Sequence, residues 1–211
     1  MRKLILAGGI AAATFLAAVP ATAVTFTDNF DSENGGSSML NYTGFANFTT
    51  VGQVDLVKSG DYNITCSGSC VDLDGTSGPG GLLSGVFHYN AGDVVTLSFD
   101  LGGSQRIANG LDNFTVVLFS TTDGNVFDAF DVASTDPFKN YSYFFTASGT
   151  GSVQFSLGTD SQDNIGPLLD NVSLNIAPVP EPATWAMMML GFGVIGLSMR
   201  RGKVNTVVQF A

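Results

Sequence analysis

Between Val24 and Ala177, apolar and polar residues alternate in short runs, and no stretch shows a convincing 3.6-residue period. Val95, Leu97, Phe99 and Leu101 alternate with Thr96, Ser98 and Asp100, the pattern of a half-buried strand. Tyr141, Tyr143, Phe145 and Ala147 do the same against Ser142, Phe144 and Thr146. Val153, Phe155 and Leu157 follow a Gly149-Thr150-Gly151 turn, and Val172, Leu174 and Ile176 alternate with Ser173 and Asn175. Phe114 to Phe119 is apolar on both sides, as a central strand is. Earlier candidate strands are 24–30, 45–51, 54–57, 71–74 and 82–89. Eight to ten short strands separated by Gly, Asn and Asp predict an all-β fold, a β-sandwich of jelly-roll type over residues 24–177.

The two ends follow a different pattern. Arg2 and Lys3, the apolar run Leu4 to Val19 and Ala21-Thr22-Ala23 read as a secretory signal over residues 1–23. Residues 178–182 hold three prolines and predict a stiff linker, because proline removes donors and fixes φ. Ala183 to Met199 is charge-free for 17 residues, about 25 Å as a helix, at the short end of what crosses a bilayer. Trp185 stands where an interfacial aromatic belongs. Arg200, Arg201 and Lys203 follow, predicting a transmembrane helix over 183–199 with a basic cytoplasmic tail over 200–211.

Charge sharpens this division. The chain has eight basic residues, and only Lys58, Arg106 and Lys139 lie in the middle, against 17 acids from Asp28 to Asp170, a net of −14. Such a surface excludes nucleic acid as a partner. The 17 phenylalanines exclude a disordered acidic tail.

Among the acids, Asp170 shares strand parity with Leu168, Val172 and Leu174, so it is expected on the apolar face. A buried carboxylate needs a partner, and calcium, which takes carboxylate and carbonyl oxygens, is the simplest one with no base nearby in sequence. The alternative is an Asp capping a turn. Asp72 and Asp74 alternate with Val71 and Leu73 and are expected to point away from the core, as solvated charges or as weak ligands for sugar hydroxyls or a cation. Cys66 and Cys70, the only cysteines in an exported chain, predict a disulfide. His88 is the only histidine, and no Gly-x-Ser-x-Gly elbow accompanies it, so it reads as a surface residue at a strand end. Tyr42, Tyr62, Tyr89 and Tyr141 could stack on sugar rings if exposed.

The segment Val179-Pro180-Glu181-Pro182-Ala183-Thr184-Trp185-Ala186, a Gly-rich apolar helix and Arg200-Arg201 resemble the PEP-CTERM sorting signal in its PEPxxWA form. The resemblance covers about 24 residues, 179–202. It implies a Gram-negative bacterium that makes exopolysaccharide. It further implies an exosortase that recognises Pro180, Glu181 and Pro182 and processes the tail, so the inner membrane holds the protein transiently before it reaches the cell surface or medium. Such chains usually stop soon after the arginines, whereas this one continues to Ala211.

The order of pieces in the middle is similar to galactose-binding-like jelly rolls, including carbohydrate-binding modules and DUF642 domains. Val71-Asp72-Leu73-Asp74-Gly75 comes first, then Ala91-Gly92-Asp93 before a strand, then a Phe/Tyr-rich strand, and finally Leu169-Asp170-Asn171-Val172-Ser173-Leu174. The resemblance implies sugar binding and a structural calcium ion held by Asp170 with an acid after a Phe of the first strand. Here that position is Asp31 after Phe30, with Glu33 as a substitute. The resulting expectation is a non-enzymatic exported protein that binds extracellular polysaccharide. The alternatives are a structural matrix or adhesion component without a ligand site, and a glycan hydrolase with two facing carboxylates.

Overall fold

The computed structural model of the chain describes residues 23–106, 110–179 and 182–200. The expected signal, apart from Ala23, lies outside them, as do Pro180, Glu181, Arg201 and the rest of the tail.

Residues 22–179 form one compact unit. Its strands are β1 (Val24–Asp28), β2 (Phe48–Gly52), β3 (Asp55–Lys58), β4 (Ser69–Asp72), β5 (Asp74–Gly75), β6 (Gly78–Ser84), β7 (Phe87–Tyr89), β8 (Val94–Gly102), β9 (Leu111–Ser120), β10 (Val126–Ala133), β11 (Lys139–Thr146), β12 (Gly151–Gly158) and β13 (Leu168–Ala177). Two antiparallel sheets pack face to face. Sheet A runs β11-β8-β13-β4-β3, with β1 also on β13, and sheet B runs β10-β9-β12-β6-β2, with β5 on β6 and β7 on β12. The alternating strands read from the sequence are there. Val95, Leu97, Phe99 and Leu101 are buried, while Thr96, Ser98 and Asp100 are half-buried on the other face.

The core explains the phenylalanine content. Phe99 meets Phe114, Tyr141 and Tyr143, and Phe130 stacks on Tyr141 with ring centroids 5.0 Å apart. A second aromatic group joins Phe26, Phe48, Phe87 and Phe155. Burying each such ring contributes about 1.5–3 kcal/mol, and offset or edge contacts between rings add about 0.5–1.5 kcal/mol. Every residue of both apolar clusters lies within residues 22–179, so this unit carries its own core.

Two strands differ from the sequence reading. β10 was not expected, because Val126-Phe127-Asp128-Ala129-Phe130-Asp131 mixes apolar and acidic residues on both parities. The mixture arises because β10 is an edge strand: Phe130 turns inward, Phe127 stays 65% exposed, and Asp128 accepts a hydrogen bond from the Tyr143 hydroxyl of β11 in the other sheet. β6 begins in Gly78-Pro79-Gly80-Gly81, a stretch that reads as a turn. A Cβ at Gly81 would lie 2.5 Å from the Leu157 carbonyl oxygen, so only glycine lets β6 approach β12 there.

The second unit contributes α1, Pro182–Arg200. It starts one residue before the expected span, since a proline is preset for the first helical position. Its described side chains from Trp185 to Leu197 are exposed. Among the described residues no helix is long and apolar enough to cross a membrane, so the expected transmembrane helix over 183–199 is not shown. The helix has only 19 residues, and Gly191, Gly193, Gly196, Thr184 and Ser198 dilute its hydropathy.

Candidate functional site

Strand β13 organises the first cluster of acids. Leu169, Val172, Leu174 and Ile176 face the main core, whereas Leu168 packs into a smaller cluster with Val57, Ile64 and Cys70. The parity that was expected to place Asp170 with Leu168, Val172 and Leu174 is broken by a bulge between Asp170 and Ser173, where Asn171 adopts φ +49°. Asp170 is buried, only 2% exposed, but on the outer face of sheet A with Leu168, beneath other chain segments.

The cover is the disulfide loop. Cys66 and Cys70 are bonded, with Cα atoms 6.1 Å apart. The Ser69 N–H donates to Asp31 Oδ1 at 2.7 Å, and Asn29 Nδ2 donates to Asp31 Oδ2 at 2.7 Å. Gly68 has φ +83°, and any Cβ there would collide with the Asp31 carboxylate, so glycine is required. Asp170 Oδ1 accepts from the Asn171 N–H at 2.7 Å. Desolvation pushes the Asp170 carboxyl up to about 7, against the Asn171 and Ser67 amides, while Asp31 and Asp100 push it further upward. The structure therefore brings Asp31 and Asp170 together. It does not bring Glu33 to them, because Glu33 Oε1 accepts from the Ala46 N–H at 3.0 Å and Oε2 from the Tyr42 hydroxyl at 3.3 Å. Among the described residues, no group of three or more His, Cys, Asp or Glu is arranged to hold a metal ion.

Asp72 and Asp74 do point away from the main core, but they are not solvated: they are 1% and 0% exposed. The segment after Asp160 folds over them. Asp72 Oδ1 accepts from the amides of Gly166 and Asp74, and Asp74 Oδ2 accepts from those of Asp163 and Asn164, both at 2.9 Å. Arg106 approaches Asp72 at 3.9 Å. Burial still pushes Asp72 up to about 8 and raises Asp74, with the amide donors opposing it. Asp72 Oδ1 and Asp74 Oδ2 staple a loop through its backbone amides, whereas Asp74 Oδ1 is buried without a hydrogen-bond partner among the described residues.

The sugar-stacking expectation also changes. Tyr42 and Tyr89 are buried, Tyr141 is half-buried within the ring network, and Tyr62 alone of the four is exposed, at 49%. The exposed aromatics the sequence reading did not single out lie on the outer faces of the sheets: Phe127 and Phe119 on sheet B, and Phe144 on sheet A. The outer face of sheet B that carries Phe127 and Phe119 also holds a groove of about 290 Å³ that crosses β9, β12, β6 and β2, lined by neither ring. Gly81 and Gly158 form part of its floor, Val51 and Pro79 its apolar side, and Thr115, Ser156, Thr159 and Asp160 its polar side. Phe127 pairs with Val117, and Val117 pairs with Ser156 of the groove, so the aromatic and polar surfaces are contiguous. Because 114–119 reads as apolar on both sides, nothing in the sequence signalled that Phe119 stays outside while Leu118 is buried.

The comparisons with known proteins divide the same way as the chain. No curated protein matches. Among solved structures, a cyclase from Fischerella sp. TAU aligns at 15% identity with a TM-score of 0.56, covering 76% of this chain and all of that one. This likeness shows the fold alone. Two carbohydrate-binding modules align more loosely. The C-terminal CBM6 of LamC from Zobellia galactanivorans gives 13% identity and a TM-score of 0.41, covering 72% of this chain and 98% of that one. The CBM22-1 xylan-binding domain of Xyn10C from Paenibacillus barcinonensis gives 10% and 0.43, covering 74% and 95%. The family model that matches does so at the other end, over residues 178–202. The chain thus carries a PEP-CTERM protein-sorting motif, the mark of an exported, membrane-processed protein, behind a two-sheet β-sandwich.

Proposed function

We propose that this protein is a non-catalytic polysaccharide-binding component of the cell envelope or extracellular matrix, built on a galactose-binding-like jelly roll and delivered by its sorting motif. An exosortase of a Gram-negative host recognises Pro180-Glu181-Pro182, and the domain acts at the cell surface or beyond. The observation that carries the binding reading is the groove on sheet B together with Phe127 and Phe119, exposed on the same face of that sheet. A pyranose has an apolar C–H face and a rim of hydroxyls. Exposed rings suit the face, and Thr115, Ser156, Thr159 and Asp160 suit the rim. Asp160 is the one carboxylate in the groove lining, whereas glycoside hydrolysis needs two. The net charge of −14 over residues 24–177 disfavours anionic polymers and selects neutral ones.

Calcium belongs to the same proposal as a structural ion. Asp31 and Asp170 fit it: Asp31 and Asp100 act on Asp170 as neighbouring carboxylates that push its pKa upward, and no base is among the groups acting on it. Asp31 and Asp170 are the residues that would hold the ion. Glu33 is not part of this pair: it is held at the Ala46 amide and the Tyr42 hydroxyl and is not among the groups acting on Asp170.

The test is affinity electrophoresis of residues 22–179 in gels containing xylan, galactan or β-1,3-glucan, with alginate as the anionic control. Retardation by at least one neutral polymer and not by alginate is expected, and Phe127→Ala with Phe119→Ala weakens it about tenfold or more. Equal mobility in every gel, with and without calcium, overturns the binding reading.

A further inference from the structure

The outer face of sheet A is half covered and half open. The disulfide loop and the smaller apolar cluster cover the end near Leu168. At the other end the strand register lays out two rows across four strands. One is Phe144, Thr96, Asn175 and Thr25, and the next is Ser142, Ser98, Ser173 and Thr27. Every member is exposed or half-buried. Seven of these eight side chains are short, neutral hydrogen-bonding groups, and the eighth, Phe144, is 70% exposed. The Ser98 and Ser173 hydroxyls are 2.8 Å apart, which fixes their orientation. Asp100, at the border of this surface, has both carboxylate oxygens occupied by the amides of Asn140 and Asn171 at 2.9 Å. The open half is therefore an uncharged lattice of donors and acceptors with one projecting ring.

We propose that this face is a second glycan-binding surface for neutral polysaccharide, so that one domain holds two chains on opposite sides and cross-links them. The inference rests on the glycan reading of sheet B and extends it. Three observations choose the occupant. The side chains offer the hydroxyl and amide chemistry that a polyol satisfies. A large exposed ring on a polar sheet is a stacking platform without a protein partner. A second copy of this domain, at −14, is repelled by the first, whereas a neutral polymer is not. The opposition of the two surfaces follows from the sandwich itself, in which the two sheets share one core and turn their other faces outward.

The experiment mixes residues 22–179 with the neutral polymer that retards it most and follows particle size by light scattering over a range of ratios. The wild type is expected to give large particles near equivalence and small ones when protein is in excess. Phe144→Ala combined with Asn175→Glu changes only exposed positions. That variant is expected to stay retarded in the gel, to lose the large particles, and to bind polymer on the order of 10²-fold more weakly through lost bivalency. Titration with a short oligosaccharide of the same sugar is expected to give two sites in the wild type and one in the variant. One site in the wild type, with retardation intact, overturns the second surface and leaves the first. No retardation by xylan, galactan or β-1,3-glucan removes both.

Discussion

Asp74 and Asp170 are both aspartates at most 2% exposed, and they satisfy burial differently. Asp74 sits in a compensated region. Consecutive amides of Asp163 and Asn164 donate to it, its neighbour Asp72 takes Gly166 and Asp74, and Arg106 supplies a positive charge. Asp170 also has amide donors, those of Asn171 and Ser67, but no positive charge is among the groups acting on it. Its charged neighbours are Asp31 and Asp100, and the loop that covers it must be closed by a disulfide. Backbone amides alone can bury a carboxylate when a long loop folds onto it. Where carboxylates face each other without a base, the chain either protonates one of them or takes a cation. Two acid pairs that look equivalent in sequence therefore have different surroundings: the first staples a loop, and the second is the pair proposed above to hold calcium.

The largest expected effect lies on the compensated side. Asp74→Ala removes the shared acceptor of the part-buried Asp163 and Asn164 amide bonds and leaves a cavity under the loop, a cost of about 2–4 kcal/mol. Calorimetry of residues 22–179 should then show a midpoint lower by roughly 5–15 °C. Calcium should not restore it, and recovery with calcium would place the cation at the wrong acid.

Breaking the disulfide is the next step down. Cys66→Ser with Cys70→Ser frees a short loop, for which chain entropy gives about 2 kcal/mol. The midpoint should fall about half as far as for Asp74→Ala, and amide exchange should speed up at Ser67 and Ser69, whose N–H groups serve Asp170 and Asp31. Unchanged exchange at both amides would detach the loop from the carboxylates.

A third measurement separates the two sites by pH. Asp72 and Asp170 have folded pKa values raised to about 8 and about 7 from 3.8, so the folded state holds more protons than the unfolded chain between these values. The stability these groups contribute is full below pH 3.8 and is lost as pH rises toward 7 and 8. In EGTA the midpoint is expected to fall from pH 4 to pH 8. Calcium favours the ionised carboxylate and should cancel the part due to Asp170 while leaving that of Asp72. Asp170→Asn should abolish the calcium response, and Glu33→Gln should preserve it. A wild-type midpoint that is the same in calcium and in EGTA at every pH removes calcium from this protein.

Much of the sandwich was legible because sheets obey a period of two. β8 and the core half of β13 bury the residues their alternation marks, and β11 turns its marked residues half-buried onto the core. The exceptions are local. β10 hid behind edge-strand mixing, and Asp170 was right in burial but wrong in face. The hint was in the dipeptide: an Asp-Asn step at the start of a strand tolerates φ above zero and invites a bulge, and one extra residue reverses every side chain before it. Asp72 and Asp74 were assigned the right direction and the wrong environment, since alternation tells which way a side chain points and not what lies over it.

The sequence by itself determined what is short-range or compositional: strand periodicity, the acidic middle, the cysteine pair and a sorting motif read in one linear stretch. Only the tertiary structure decided which acids share a cavity, which aromatics remain outside the core, and that two opposite faces are open. Those depend on loops packed against residues about 40 to 95 positions away, as Ser69 is on Asp31 and Gly166 on Asp72. Burial is a property of neighbours in space, and the local pattern of a chain carries no record of which distant segment covers it.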